Sequence, residues 1–260
     1  MSEMLRVEDA GGVKTVTLNR PGRRNALTPA MQDELIAVLR AAGEDNECRV
    51  VVLAGEGETF CSGLDLGALN GLAAQSNVEH RADAERVARM FRKLYDCPKP
   101  TIAAVHGAAV AGGAGLATIC DFTLAEPQAW FAYTEVKVGF VPGVVSAYLC
   151  LQVGEKRARD LLLTARTVDA EEAFRLGLVN QIVARGLLME RVRELATTLM
   201  DNSPESLRAT KALLAAQSKM WLDAAIAEAM ETNARSRSTA DFREGVAAFL
   251  EKRRPVWGKA

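Results

Sequence analysis

The sequence predicts an α/β fold with a helical C-terminal region, on three observations. Two short apolar runs, Val50–Ala54 and Thr101–Val105, have the length and β-branched content of buried strands. Each runs into a glycine-bearing turn and then a helical segment, so a strand–turn–helix unit recurs over residues 50–70 and 101–120. From Ser146 onward the apolar spacing becomes helical. The recurrence suggests repeated ββα turns stacked along an axis, although periodicity alone does not separate that arrangement from a doubly wound sheet. An α/β body over residues 1–200 and a helical region over 201–260 follow.

Taken in order, Leu5–Asp9 and Val13–Asn19 flank Ala10-Gly11-Gly12 and read as a hairpin. Thr28-Pro29 supplies an N-cap and a proline at the first helical position. Met31, Leu35, Val38, Leu39 and Ala42 carry that helix to about Asn46. Residues 67–79 are small and polar without a period, which predicts a flexible loop. A helix over His80–Tyr95 is ended by Cys97-Pro98-Lys99-Pro100. Strands are expected at Asp121–Ala125 and Trp130–Ala132, with a short helix from about Gly112 before them. Asp169 should cap Ala170–Leu176, Gly177 should end it, and Leu178–Val183 should return as a strand. Leu187–Met200, Pro204–Gln217, Trp221–Ser236 and Asp241–Lys252 are helical by period.

Composition narrows the function classes. The chain has 260 residues and is 49% hydrophobic, enough for one large core. A net charge of −1 provides no basic field for nucleic acid. Cys48, Cys61, Cys97, Cys120 and Cys150 are odd in number and form no CxxC, which predicts reduced thiols. With only His80 and His106 to join them, no metal site is expected. No signal segment and no apolar run of about 18 residues is present, so a cytoplasmic protein with no membrane span is expected.

Chemistry concentrates in two turns, Phe60-Cys-Ser-Gly-Leu-Asp-Leu66 and Val105-His-Gly-Ala-Ala-Val-Ala-Gly-Gly-Ala-Gly-Leu116. Backbone N–H groups at such strand–helix junctions lack partners. Two of them aimed at one point would hold a carbonyl oxygen that turns negative, as in a thioester enolate. Glu135 lies between the aromatic patch Trp130-Phe-Ala-Tyr133 and Gly139. An apolar wall there would raise its pKa toward the range useful for proton transfer.

These pieces, with others in fixed order, resemble the enoyl-CoA hydratase/isomerase (crotonase) superfamily over nearly the whole chain. The matching residues are Leu18-Asn-Arg-Pro with Arg24-Asn-Ala-Leu27, then Phe60–Leu66, Lys99–Gly107, Ala111-Gly-Gly113 and Cys120-Asp121. Glu135 with Gly139 and Pro142-Gly143, Ala170–Ala173 with Gly177–Asn180, and Phe249–Arg253 complete the set. The resemblance implies a crotonase-type spiral of ββα units whose C-terminal helices serve oligomerisation and CoA contact. It implies a homotrimer or homohexamer acting on an acyl-CoA thioester, with coenzyme A as part of the substrate and no separate cofactor. It places the oxyanion-hole amides on Leu64 and Gly112 and the moving proton on Glu135. Substrate contacts are carried to Arg24, Ser62, Gly63, Gly113, Gly115, Pro142, Tyr148 and Lys252.

One departure bears on the chemistry. Two-carboxylate hydratases place an acid just after the glycine turn, where this chain has Gly115. Three readings fit a lone Glu135: hydration of an unsaturated acyl-CoA, double-bond migration as in Δ3,Δ2-enoyl-CoA isomerases, or a non-catalytic acyl-CoA binder or scaffold. The glycine at 115 and the Ser146-x-Tyr148 pattern look most like the bacterial methylglutaconyl-CoA hydratase branch. Several neighbours have plainer readings. Asp65 is expected to cap a following helical turn, Asp121 and His106 to be structural, and His80 to be solvated. Tyr148 is either a second proton relay or substrate-carboxylate contact, or a helix-face aromatic packed with Leu149 and Val153.

Overall fold

The computed structural model describes residues 4–65 and 76–258. Among the described residues, ten strands form two sheets: β1 Leu5–Ala10, β2 Val13–Leu18, β3 Val50–Gly55, β4 Thr59–Cys61, β5 Thr101–Val105, β6 Ala108–Val110, β7 Phe122–Ala125, β8 Trp130–Ala132, β9 Val168–Asp169 and β10 Gln181–Ile182. The larger sheet has the order β1-β2-β3-β5-β7-β10 and the smaller β4-β6-β8-β9. The β1–β2 hairpin and the β8–β9 pair are antiparallel, and the other ladders among the described residues are parallel.

Each of the pairs β3/β4, β5/β6 and β7/β8 gives one strand to each sheet before the chain turns into a helix. This is the stacked ββα arrangement, and it excludes the doubly wound alternative. Stacking is close at the corners. A side chain on Gly107, between β5 and β6, would put its Cβ 2.1 Å from the carbonyl oxygen of Glu58 in the preceding turn. Strands β3 and β5 read as unbroken apolar runs because both faces are covered. Val51, Leu53, Ala103 and Val105 face the main core, while Val50, Val52, Ile102 and Ala104 pack with Leu188, Val192, Ala196 and Leu199 of the Leu188–Met200 helix.

The helix ends follow the capping chemistry of their residues. Thr28 accepts from Met31 N–H at 3.2 Å and precedes the Pro29–Glu44 helix. Asp169 accepts from Glu172 N–H at 2.7 Å, and left-handed Gly177 ends Ala170–Leu176. The expected loop over 67–79 needs correction at its end. Ser76 and Glu79 form a reciprocal capping box that starts a helix over Asn77–Tyr95; the rest of that loop lies outside the described residues. His80, expected to be solvated, is buried in the first turn of that helix.

Two helices expected at 204–217 and 221–236 are one, Pro204–Ser236, of 33 residues. The intervening Ser218-Lys219-Met220 contains no glycine or proline to stop it. Leu222 and Ile226 on this helix join the main core. The return strand expected over 178–183 is confined to Gln181–Ile182. No helix among the described residues is long and apolar enough to cross a membrane.

A buried clasp fixes the first glycine turn. Asn25 is fully buried in the left-handed conformation, with φ 54°. Its Nδ2 donates to the carbonyls of Glu56, Thr59 and Phe60 at 2.9, 2.7 and 3.1 Å, and its Oδ1 accepts from Arg20 N–H at 2.9 Å. Ser62 N–H donates to Arg24 O at 3.0 Å. The Arg24–Leu27 motif thus acts as a brace for Ser62–Asp65.

Candidate active site

A cavity of about 120 Å³ opens between the Asn77–Tyr95 helix, the two glycine turns, residues 134–145 and the end of the long helix. Its wall is mostly apolar. Leu27, Leu64, Val87, Met90 and Phe91 form one side; Val138, Phe140, Val141, Val144 and Val145 form the other. The polar lining comes from Ser62, Thr134, Glu135, Asn233 and Arg237, with main chain at Gly112.

The two turns converge at the cavity. Leu27 and Leu64 form an isolated parallel bridge in which Leu27 N–H donates to Gly63 O at 2.8 Å and Asp65 N–H donates to Leu27 O at 3.1 Å. That pattern leaves the intervening Leu64 N–H facing the opposite side of the segment. Gly112 is the first residue of the Gly112–Ile119 helix, so its N–H has no acceptor within the helix. Ala111 before it has φ 51°, a strained conformation for a residue with a side chain, held by its N–H donating to Ala132 O at 2.7 Å. Gly63 has φ 86°, and a Cβ there would lie 2.9 Å from Val110 O, 3.0 Å from Ala111 Cβ and 3.3 Å from Gly112 N. The residue joined to the Leu64 amide therefore lies directly against the residue that bears the second amide.

Glu135 opens a 3₁₀ turn, Glu135–Val138, that ends at left-handed Gly139. The C-terminal helix Ala240–Leu250 fixes this turn by close packing, with no room for a side chain at Gly139 against Asp241 O or at Gly245 against Val138 O. Phe140 and Phe242 add a tilted ring contact at 5.4 Å. Glu135 is 8% exposed, and its Oε2 has no hydrogen-bond partner among the described residues. Burial pushes its carboxyl from 4.5 up to about 7, opposed in part by its own backbone N–H. A carboxyl in that range is half ionised at neutral pH and can both take and return a proton.

Other positions singled out in the sequence distribute unevenly. Ser62 and Pro142 line the cavity with Leu64, Gly112 and Glu135. Gly63 and Gly113 stand behind the wall, where the absence of a side chain permits contact; a Cβ on Gly113 would lie 2.2 Å from Cys61 O. Gly115 also lies outside the lining. A Cβ there would sit 2.8 Å from Val145 Cγ2 and 3.0 Å from Phe91 Cε1, so the glycine serves packing. Gly115→Ala should lower stability by about 1–3 kcal/mol, read as a fall in urea midpoint at constant m-value.

Tyr148 does not line the cavity. It is buried against Tyr95 and Phe91, with ring centroids at 5.2 and 6.4 Å, and its hydroxyl has no partner among the described residues. The packed-aromatic reading describes it, and the relay reading lacks contact with the site. Asp65 pairs with Arg20 at 2.9 Å; the turn it was expected to cap lies outside the described residues. Arg24 and Lys252 are exposed, both with positive φ, and belong to no part of the cavity wall. Asp121 is structural, accepting from Thr101 N–H at 2.7 Å and from its hydroxyl at 2.8 Å. His106 meets Gly57 O at 2.8 Å.

Sequence reasoning missed Asn233, Arg237 and Phe140. The Asn233–Arg237 spacing of four is a usable helical signal. Among the many charged residues of the C-terminal helices, nothing in the sequence marks that arginine as buried.

Comparison with known proteins gives the family and the fold. The family profile described as Enoyl-CoA hydratase/isomerase matches residues 8–260. A Thermus thermophilus protein provisionally named an enoyl-CoA hydratase is 46% identical over 97% of this chain and 99% of its own length. The short-chain-enoyl-CoA hydratase of Clostridium acetobutylicum is 34% identical over 95% of each chain. A crystal structure of an enoyl-CoA hydratase/isomerase from Xanthobacter autotrophicus Py2 superposes with a TM-score of 0.89 at 31% identity, covering 97% of both chains.

Proposed function

Because this chain belongs to the enoyl-CoA hydratase/isomerase family, we propose that it adds water across the C2=C3 bond of a short α,β-unsaturated acyl-CoA, and removes it in reverse. The observation that carries this reading is a buried carboxyl with one oxygen unpartnered among the described residues, in the same cavity as two main-chain donors. The thioester oxygen rests on the Leu64 and Gly112 N–H groups. Ionised Glu135 takes a proton from water as its oxygen bonds to C3. The C2=C3 electron pair moves into the thioester, and the enolate oxygen is held by the two amides, each worth about 10²–10³ in rate. The protonated Glu135 then delivers its proton to C2, which restores the carboxylate. The same residue serves as base and acid, so no second carboxyl is needed at Gly115.

The short-chain specificity in the name of the Clostridium relative and the modest cavity both favour a short acyl group. A methylglutaconyl-like substrate is a narrower form of the same proposal, prompted by Gly115 and the Ser146-x-Tyr148 pattern. Arg24 and Lys252 are assigned to the CoA end, and residues 201–260 to oligomerisation and CoA contact. Exposed Leu213, Leu214, Met220 and Trp221 on the long helix favour assembly into a trimer or hexamer. The compartment we assign is the cytoplasm.

Double-bond migration is the second reading, since one carboxyl also suffices to carry a proton between C4 and C2. The two separate in ¹⁸O-labelled water. Hydration of a 2-enoyl-CoA places label on C3 of the product. A 3-enoyl-CoA converted to its 2-isomer without label would instead assign the chain to isomerisation, and neither change would leave it a binder.

A further inference from the structure

We propose that Arg237 receives a carboxylate at the far end of the acyl chain, so that this site selects enoyl-CoA substrates that terminate in an acid. This rests on reading the cavity as the acyl site. Arg237 is only 1% exposed, yet it forms part of a wall that is otherwise mostly apolar. A guanidinium is rarely buried, and when buried it needs partners for both its charge and its donors.

Among the described residues, the partners of Arg237 are incomplete. Nη1 donates to Asp83 Oδ2 at 2.7 Å, Nη2 donates to Asn233 Oδ1 at 3.0 Å, and Nε donates to the same oxygen at 3.3 Å. The Phe140 ring lies beneath, 5.3 Å from centroid to guanidinium carbon. These contacts engage each nitrogen once, whereas the group carries five N–H donors. Asp83 is also shared, because Arg86 Nη1 donates to its Oδ1 at 2.8 Å. Two guanidinium groups thus divide one carboxylate. The next acid, Asp33, lies 3.6 Å from Arg86 and is mostly exposed, so water screens it. Within this cluster two guanidinium groups thus face one part-buried carboxylate, and the acid of the cavity wall among the described residues is Glu135.

Position is fixed as well as charge. Asn233 Nδ2 donates to Val141 O at 2.9 Å, which holds its Oδ1 toward Arg237. The planar fork is therefore oriented before any ligand arrives, the geometry that matches a carboxylate. A methyl-terminated chain in that place would meet donors it cannot satisfy.

The test compares kcat/KM for two trans-2-enoyl-CoA thioesters of equal length, one ending in a carboxylate and one in a methyl group. The protein should favour the acid by about 10²-fold, the scale of a charge-assisted contact. In Arg237→Met the ratio should fall to near one. A ratio near one in the unaltered protein, or a methionine variant in which both substrates decline together, would overturn the assignment while leaving hydration intact. If neither thioester is hydrated, the function proposed above fails, and affinities for the saturated pair decide this point alone. Should the methionine variant not fold, Asp83→Asn supplies the second measurement. Removing the shared acid should raise preference for the carboxylate, and an unchanged or lower ratio overturns the proposal.

Discussion

Glu135→Gln is expected to abolish turnover and, at the same time, to stabilise the fold above neutral pH. A positioned general acid or base is worth about 10²–10⁴ in rate, and in the proposed mechanism one group performs both transfers, so the loss should lie at the upper end. The stability gain has a defined sign. Burial raises the carboxyl from 4.5 to about 7, so between those values the folded protein binds more protons than the unfolded chain. Stability therefore declines as pH rises from 4.5 through 7 and levels off beyond, with a total cost of about 3 kcal/mol. Glutamine carries no charge to bury and removes that cost. Denaturant titrations at pH 5 and pH 8 should show a pH-dependent loss in the parent that is absent in the variant. The parent's kcat/KM should rise with pH through about 7 as the base form appears. A variant with undiminished turnover, or one less stable than the parent at pH 8, would remove Glu135 from the proposed role.

Gly63→Ala should have the second-largest effect. The left-handed backbone at this position costs a non-glycine residue about 1–3 kcal/mol. The added Cβ would also press on Val110 O and Ala111 Cβ. Relief requires the turns to separate, which moves the Leu64 amide away from the Gly112 amide. Loss of one oxyanion donor corresponds to about 10²–10³ in kcat. Circular dichroism should report a folded protein of lower melting temperature, and steady-state kinetics should place the defect in kcat more than in KM. A variant with normal kcat would show that the two amides do not act on one oxygen.

The strand–glycine–helix pattern made the ββα repeat legible, because two-sided burial leaves runs such as Val50–Ala54 with no polar residue. Caps at Thr28 and Asp169 were equally plain, since their signals lie within four residues. Boundaries that depend on distant partners were not. The absence of a break at Ser218–Met220 shows in the structure, where a single helix runs past that point. The capping box at Ser76–Glu79 was present in the sequence but overlooked within a polar stretch. At the candidate site, the glycine turns and the aromatic-flanked acid leave local marks, but it is the family resemblance that singles out Leu64, Gly112 and Glu135, which the structure brings to one cavity. Tyr148 was ambiguous because one sequence pattern serves both a relay and a packed ring, and only burial against Tyr95 distinguishes them. Arg237 was hidden because its meaning depends on Asp83, which lies 154 residues away in the chain.

Strand order in the larger sheet also has a bearing on how the molecule is completed. The succession β1-β2-β3-β5-β7-β10 follows the chain, so no late strand has to be inserted between two that already pair. Each ββα turn adds to an existing edge, and a polypeptide emerging amino end first from the ribosome presents those edges in the sequence in which they are needed. The parallel ladders still join segments far apart in the chain, which makes spontaneous refolding from denaturant intrinsically slow. Vectorial synthesis relieves that difficulty by offering one edge at a time.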